Sequence, residues 1–119
     1  LSSNHPILGV CRGMHMLASY YGETIEAIEG HVATRHKLTS TVYGNETVFN
    51  RTVNSYHNWG LKRLRNNSSF YVTSTSVDGI IESISHVNSN VHGIMWHPER
   101  EDPFNENDKR LIKNIFNDG

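Results

Sequence analysis

The stretch Pro6-Ile7-Leu8-Gly9-Val10-Cys11-Arg12-Gly13-Met14 decides how this chain folds. Residues 6–10 form a short apolar run that reads as a fully buried strand. Cys11 follows at once. Residues 12–21 then read as a helix, because Met14, Met16, Leu17 and Tyr21 fall near helical spacing and Gly22 supplies the stop. A strand–Gly-x-Cys-x-Gly–helix sequence has the form of a nucleophile elbow, a strained turn whose flanking glycines let the backbone pass. Such a turn points the sulfur outward above the sheet edge. It also sets Cys11 at a helix N-terminus, where unsatisfied N–H groups favour the thiolate. The N–H of Arg12 is then placed to receive the oxyanion that forms on attack.

Outward from the elbow, the pattern is strand-rich. Residues 24–28 can form a short strand that Gly30 breaks, and residues 37–43, 47–49 and 52–55 are strand-like, with Gly44-Asn45 as a tight turn. Residues 70–75 are aromatic and β-branched, Asp78-Gly79 turns the chain into residues 80–84, and residues 91–96 form a further buried strand. A helix over 107–116 closes the sequence, with Leu111, Ile112, Ile115 and Phe116 on its apolar stripe. The whole reads as an α/β fold in one domain, residues 1–119, without repeats or linkers. A parallel sheet would place more strands and crossover helices before Pro6, so the chain is expected to be the C-terminal portion of a larger domain.

A lone cysteine is more often a buried structural residue than a nucleophile, so the elbow needs a base. Val91-His92-Gly93-Ile94-Met95-Trp96-His97-Pro98-Glu99 supplies one. A free thiol with a pKa of about 8.5 is mostly protonated at neutral pH, and His97 can take its proton. On an extended segment i and i+2 point the same way, so Glu99 is expected to reach the His97 imidazole, with Pro98 keeping the pair extended. A carboxylate there holds the tautomer and supports the imidazolium.

Composition narrows the alternatives. The chain has 119 residues, Lys+Arg 11 against Asp+Glu 12, and a net charge of -1, which gives no footprint for nucleic acid or an acidic membrane surface. No apolar run spans a bilayer, and no leader with a cleavage site opens the sequence. One cysteine precludes an intrachain disulfide framework and points to a reducing, cytoplasmic setting. Acceptor triplets for N-glycosylation at Asn45, Asn50, Asn66 and Asn67 read as chance products of an asparagine-rich chain. Among eight histidines, His31 and His36 lack metal-ligand spacing, and His5, His86 and His92 read as surface or strand residues, so no metal site is expected. Arg35, His36 and Lys37 read as a solvated face. Trp59 and Trp96 read as packing residues, with Trp96 able to wall the cleft.

The two motifs together resemble the class I glutamine amidotransferase family, and most closely its γ-glutamyl-γ-aminobutyrate hydrolase branch (peptidase C26), in which arginine typically follows the cysteine. Val53-Asn54-Ser55-Tyr56-His57 and Asp78-Gly79-Ile80-Ile81-Glu82-Ser83-Ile84 sit in the expected order. The resemblance implies a flavodoxin-like open sheet and a triad of Cys11, His97 and Glu99. It implies a γ-glutamyl thioester and release of glutamate and an amine, with no cofactor. It implies that Ser55, Tyr56 and His57 contact the glutamate moiety, together with His15, which stands where the family often has glutamine. The second oxyanion donor would come from a glycine-rich loop before Pro6, so this fragment alone is expected to be poorly active. Three functions follow: a free hydrolase of a γ-glutamyl amine or nucleotide amidate, a glutaminase subunit feeding ammonia to a synthase partner, and a non-catalytic binding relative.

Overall fold

The computed structural model describes residues 5–28, 34–40, 51–55, 58–76, 78–101, 103 and 105–117. Strand β1 (Ile7–Val10) runs into helix α1 (Arg12–Tyr20), followed by β2 (Glu26–Ala27), β3 (Thr34–Ser40), β4 (Arg51–Ser55) and β5 (Trp59–Gly60). Strands β6 (Phe70–Ser76), β7 (Ile81–His86) and β8 (Val91–Ile94) lead to a 3₁₀ turn (Pro98–Arg100) and helix α2 (Glu106–Asn117). The expected turn at Gly44-Asn45 and the stretches 41–43 and 47–49 lie outside the described residues.

Six strands form one sheet in the order β1-β8-β7-β6-β3-β4, and β2 pairs with β5 apart from it. Among the described residues only β1 and β8 are parallel, with Val10 opposite Ile94; the remaining neighbours are antiparallel. The sheet is therefore open and mixed, an α/β arrangement. Among the described residues β1 lies at its edge, which is why Ile7, Leu8 and Val10 are half-buried rather than fully buried as the apolar run suggested.

Alternation along the strands separates two cores. On one face Met14, Leu17 and Ala18 of α1 pack with Leu61, Phe70, Ile84, Val91 and Met95. Gly93 makes this close approach feasible, since a Cβ there would lie 2.7 Å from Met14 Cγ. Met16, expected on the apolar stripe of α1, is instead 73% exposed, because α1 rests on the sheet along Met14, Leu17 and Ala18. On the other face Ile94 and Trp96 pack with Val53, Leu8, Val10 and Leu111 of α2. Phe116 is largely exposed, whereas Asp108 of the same helix is fully buried and accepts the Trp96 indole N–H at 3.0 Å.

Strands β4 and β8 have three strands between them, which in a flat sheet would set them roughly 19 Å apart. Val53 nevertheless shares a core with Ile94 and Trp96, so the sheet curls until β4 meets the end of β8. That curl positions the site.

Candidate active site

The register of β1 and β8 brings the two motifs together. Val10 pairs with Ile94, so Cys11 and residues 95–97 leave the sheet at the same end, the carboxyl end of two adjacent parallel strands. The Cys11 N–H donates to the Ile94 carbonyl at 2.7 Å, and the Cys11 carbonyl accepts the His15 N–H at 3.1 Å to start α1. Between these bonds Cys11 is held at φ 54°, ψ −103°, a conformation that costs a non-glycine residue free energy.

The elbow glycines do different jobs. A Cβ on Gly9 would lie 2.6 Å from the backbone of Gly13, so no larger residue fits there. A Cβ on Gly13 would meet nothing within 4 Å among the described residues. The crossing needs bulk removed at Gly9; Gly13 contributes the backbone that passes over it.

Burial changes the expected state of the sulfur. Cys11 is 7% exposed, and this desolvation pushes its thiol above the usual value. The Arg12 N–H and the cations of Arg100 and Arg12 pull it down, while the Glu82 carboxylate pushes it up. The helix N-terminus thus acts in the expected direction and is outweighed. A thiol held this way needs a base more than an exposed one does.

His97 Nδ1 and Glu99 Oε2 are 2.7 Å apart. The route differs from the extended pair read in the sequence: Pro98–Arg100 is a 3₁₀ turn, closed by the Arg100 N–H on the His97 carbonyl at 3.1 Å. Proline at its first position suits the turn, having the fixed φ and no N–H to place. Burial alone would raise the Glu99 carboxyl, but its own N–H, the His97 bond and charge, and Arg100 bring it below the ordinary value. An ionised carboxylate on Nδ1 assigns the proton to that nitrogen and leaves Nε2 to act as a base.

An open cleft of about 490 Å³ reaches Cys11, with Arg12, His15, Ser19, Asn58 and Trp59 on its walls. His15, one of the substrate contacts the resemblance implies, lines this cleft. Ser55 is fully buried, paired with Thr34, and does not line this cleft; Tyr56 and His57 lie outside the described residues. The tryptophans exchange roles relative to expectation. Trp96 is buried on the α2 face, because it lies two residues beyond Ile94 at the end of β8 and shares that residue's side, while Trp59 is half exposed at the cleft. No group of three metal-ligating side chains occurs among the described residues, and none of their helices is long and apolar enough to cross a membrane.

Sequence reasoning passed over Asn54, Glu82, Arg100 and Glu101. Asn54 bonds both backbone groups of His97 and the Glu101 carboxylate. An asparagine inside a β-rich run is the signal that could have found it, since strands disfavour that residue.

Comparison with known proteins bears on family and fold. The family model described as Peptidase C26 matches residues 1–99. The chain is 32% identical over 105 residues to the gamma-glutamyl-CDP-amidate hydrolase of Campylobacter jejuni, covering 88% of this chain and 48% of that protein. It is 30% identical over 132 residues to protein NtpR of Enterococcus hirae, covering 94% and 54% respectively. The crystal structure of a glutamine amidotransferase from Thermotoga maritima superposes with a TM-score of 0.68 at 19% identity, over 92% of this chain and 46% of that one. The chain thus spans about half the length of the relatives it matches.

Proposed function

The chain belongs to the peptidase C26 family of class I glutamine amidotransferase-like proteins, and from that premise we propose that it hydrolyses a γ-glutamyl amide through Cys11, His97 and Glu99. His97 Nε2 takes the proton from the Cys11 thiol, and the sulfur attacks the amide carbon. The carbonyl π pair moves to oxygen, which the Arg12 N–H stabilises. The tetrahedral adduct collapses, the C–N bond breaks, and the amine leaves with the proton from the His97 imidazolium. Water, deprotonated by Nε2, then attacks the γ-glutamyl thioester; glutamate departs and the thiol recovers its proton. Glu99 stays ionised throughout and supports each imidazolium.

The observation that carries this reading is the 2.7 Å His97–Glu99 contact at the end of β8, the strand bonded in parallel to the elbow strand. For the leaving group we favour a larger amine, including a nucleotide amidate of the kind named for the Campylobacter relative. In support, the cleft at Cys11 carries the Arg12 cation and the half-exposed Trp59 indole, which suit a phosphate and a base.

The test uses the intact protein and a panel of γ-glutamyl compounds, with mass spectrometry for a γ-glutamyl adduct on Cys11. Cys11→Ala abolishes both adduct and hydrolysis, and His97→Ala slows hydrolysis by about 10²- to 10⁴-fold. Hydrolysis unchanged in His97→Ala sinks the assignment. Turnover without a partner separates the free hydrolase from a glutaminase subunit, which stays nearly silent until its synthase is added.

A further inference from the structure

We propose that Asn54 is a positioning residue that fixes the direction in which His97 leaves β8, and that Glu101 locks Asn54 in the rotamer that does so. The inference rests on the proposed role of His97 as the base. Asn54 is buried on β4, and its side chain reaches 43 residues along the sequence to one residue's backbone. Its Oδ1 accepts the His97 N–H at 2.8 Å, and its Nδ2 donates to the His97 carbonyl at 2.8 Å and to Glu101 Oε2 at 2.7 Å. A primary amide offers one oxygen and two N–H donors, and all three are engaged. The amide orientation is therefore unambiguous, since a flip would set oxygen against two acceptors.

Holding both the N–H and the C=O of one residue fixes the peptide planes on either side of its Cα. At His97 those planes set φ −105° and ψ 97°, and with them the bearing of the imidazole above the sheet end. The bond to Glu99 restrains the far side of the ring, but Glu99 lies on the exposed 3₁₀ turn and moves with the same segment. An anchor from outside that segment is Asn54, carried by the curled sheet. Glu101 accepts a charge-assisted bond, and so holds the amide more firmly than a neutral acceptor would. Aspartate at position 54 would keep the acceptor, lose both donors, and face the Glu101 carboxylate.

The experiment compares Asn54→Asp, Glu101→Ala and the double variant Asn54→Asp/Glu101→Gln in the intact protein. It measures kcat and KM on a γ-glutamyl substrate, urea unfolding, and the ¹⁵N resonances of the His97 imidazole. Displacing a base by roughly 1 Å costs on the order of a hundredfold in rate, so Asn54→Asp lowers kcat by about that factor with KM little changed. The double variant recovers part of the loss, because the new amide donates to the new carboxylate while the His97 carbonyl still lacks its donor. Glu101→Ala, at a partly exposed position, keeps the fold, lowers kcat several-fold and shifts the His97 imidazole signals. A kcat unchanged in Glu101→Ala, or no recovery in the double variant, overturns the proposal. If the wild-type protein hydrolyses no γ-glutamyl compound, the functional reading fails by itself, and the His97 signals still decide: unchanged resonances in Glu101→Ala overturn the clamp.

Discussion

At Cys11 opposing influences meet on one atom. Burial and the Glu82 carboxylate favour the thiol; the Arg12 N–H and the cations of Arg100 and Arg12 favour the thiolate. Burial wins, so the folded-state pKa lies above that of a free thiol and the thiolate fraction keeps growing with pH beyond the range in which a free thiol ionises. Alkylation of Cys11 by iodoacetamide is therefore expected to keep accelerating past the pH at which a free thiol levels off. Arg100→Gln removes a lowering cation and slows alkylation at a given pH; Glu82→Gln removes a raising anion and speeds it. Rates measured against pH for the three proteins check this, and a plateau below pH 8 in the wild type contradicts it. Residue identities and the turn between them were legible in the linear chain at Cys11. Which influence prevails was not, because desolvation depends on what covers the sulfur.

Between elements, the site depends on close approaches that glycine permits. The α1–β1 crossing leaves Gly9 with backbone 2.6 Å from where a Cβ would stand, whereas a Cβ on Gly13 would meet nothing within 4 Å among the described residues. Gly9→Ala is expected to destabilise the fold by about 1–3 kcal/mol, typical of overpacking, and to disturb Cys11 alkylation. Gly13→Ala is expected to be tolerated, since α1 gains a better helix former and meets no clash. Urea unfolding of both variants distinguishes them, and equal losses would mean that the motif's symmetry, not the contact at Gly9, sets the requirement. The 3₁₀ turn at Pro98–Arg100 shows the limit of period-based reasoning. Pro98 excluded a helix interior, and that much was correct. Proline at the first position of a tight turn is equally favoured, and only the His97–Arg100 hydrogen bond selects that form.

Across the whole molecule, β7, β8 and α2 are tied by a chain of side-chain hydrogen bonds. Ser85 Oγ lies 2.8 Å from His92 Nδ1, His92 Nε2 lies 2.6 Å from Asn90 Oδ1, and Asn90 Nδ2 donates to the Ile115 carbonyl at 2.7 Å. Burial lowers the His92 pKa from 6.5. With the folded pKa depressed, the unfolded chain binds more protons below pH 6.5, so stability is full above that value and falls as pH drops toward the folded pKa. His92→Gln keeps hydrogen-bonding capacity without the titration. The wild-type urea midpoint is expected to fall between pH 7 and pH 5 more steeply than that of His92→Gln, and parallel curves would refute the link. His92 read as an ordinary strand residue; its chain to α2 arises only because the sheet and helix pack.

What the linear order settled is local and chemical: a strand entering a Gly-x-Cys-x-Gly turn, a helix after it, and a histidine followed two places on by a glutamate. These follow from steric allowance and from the few side chains able to act as nucleophile, base and carboxylate. Tertiary structure alone decided the relations that span tens of residues. The parallel pairing of Val10 with Ile94 sends both motifs out of one sheet end. The curl of the sheet brings Asn54 onto His97, and burial reverses the balance at the sulfur. Those outcomes depend on long-range register and on solvent exclusion, which no short window of sequence encodes.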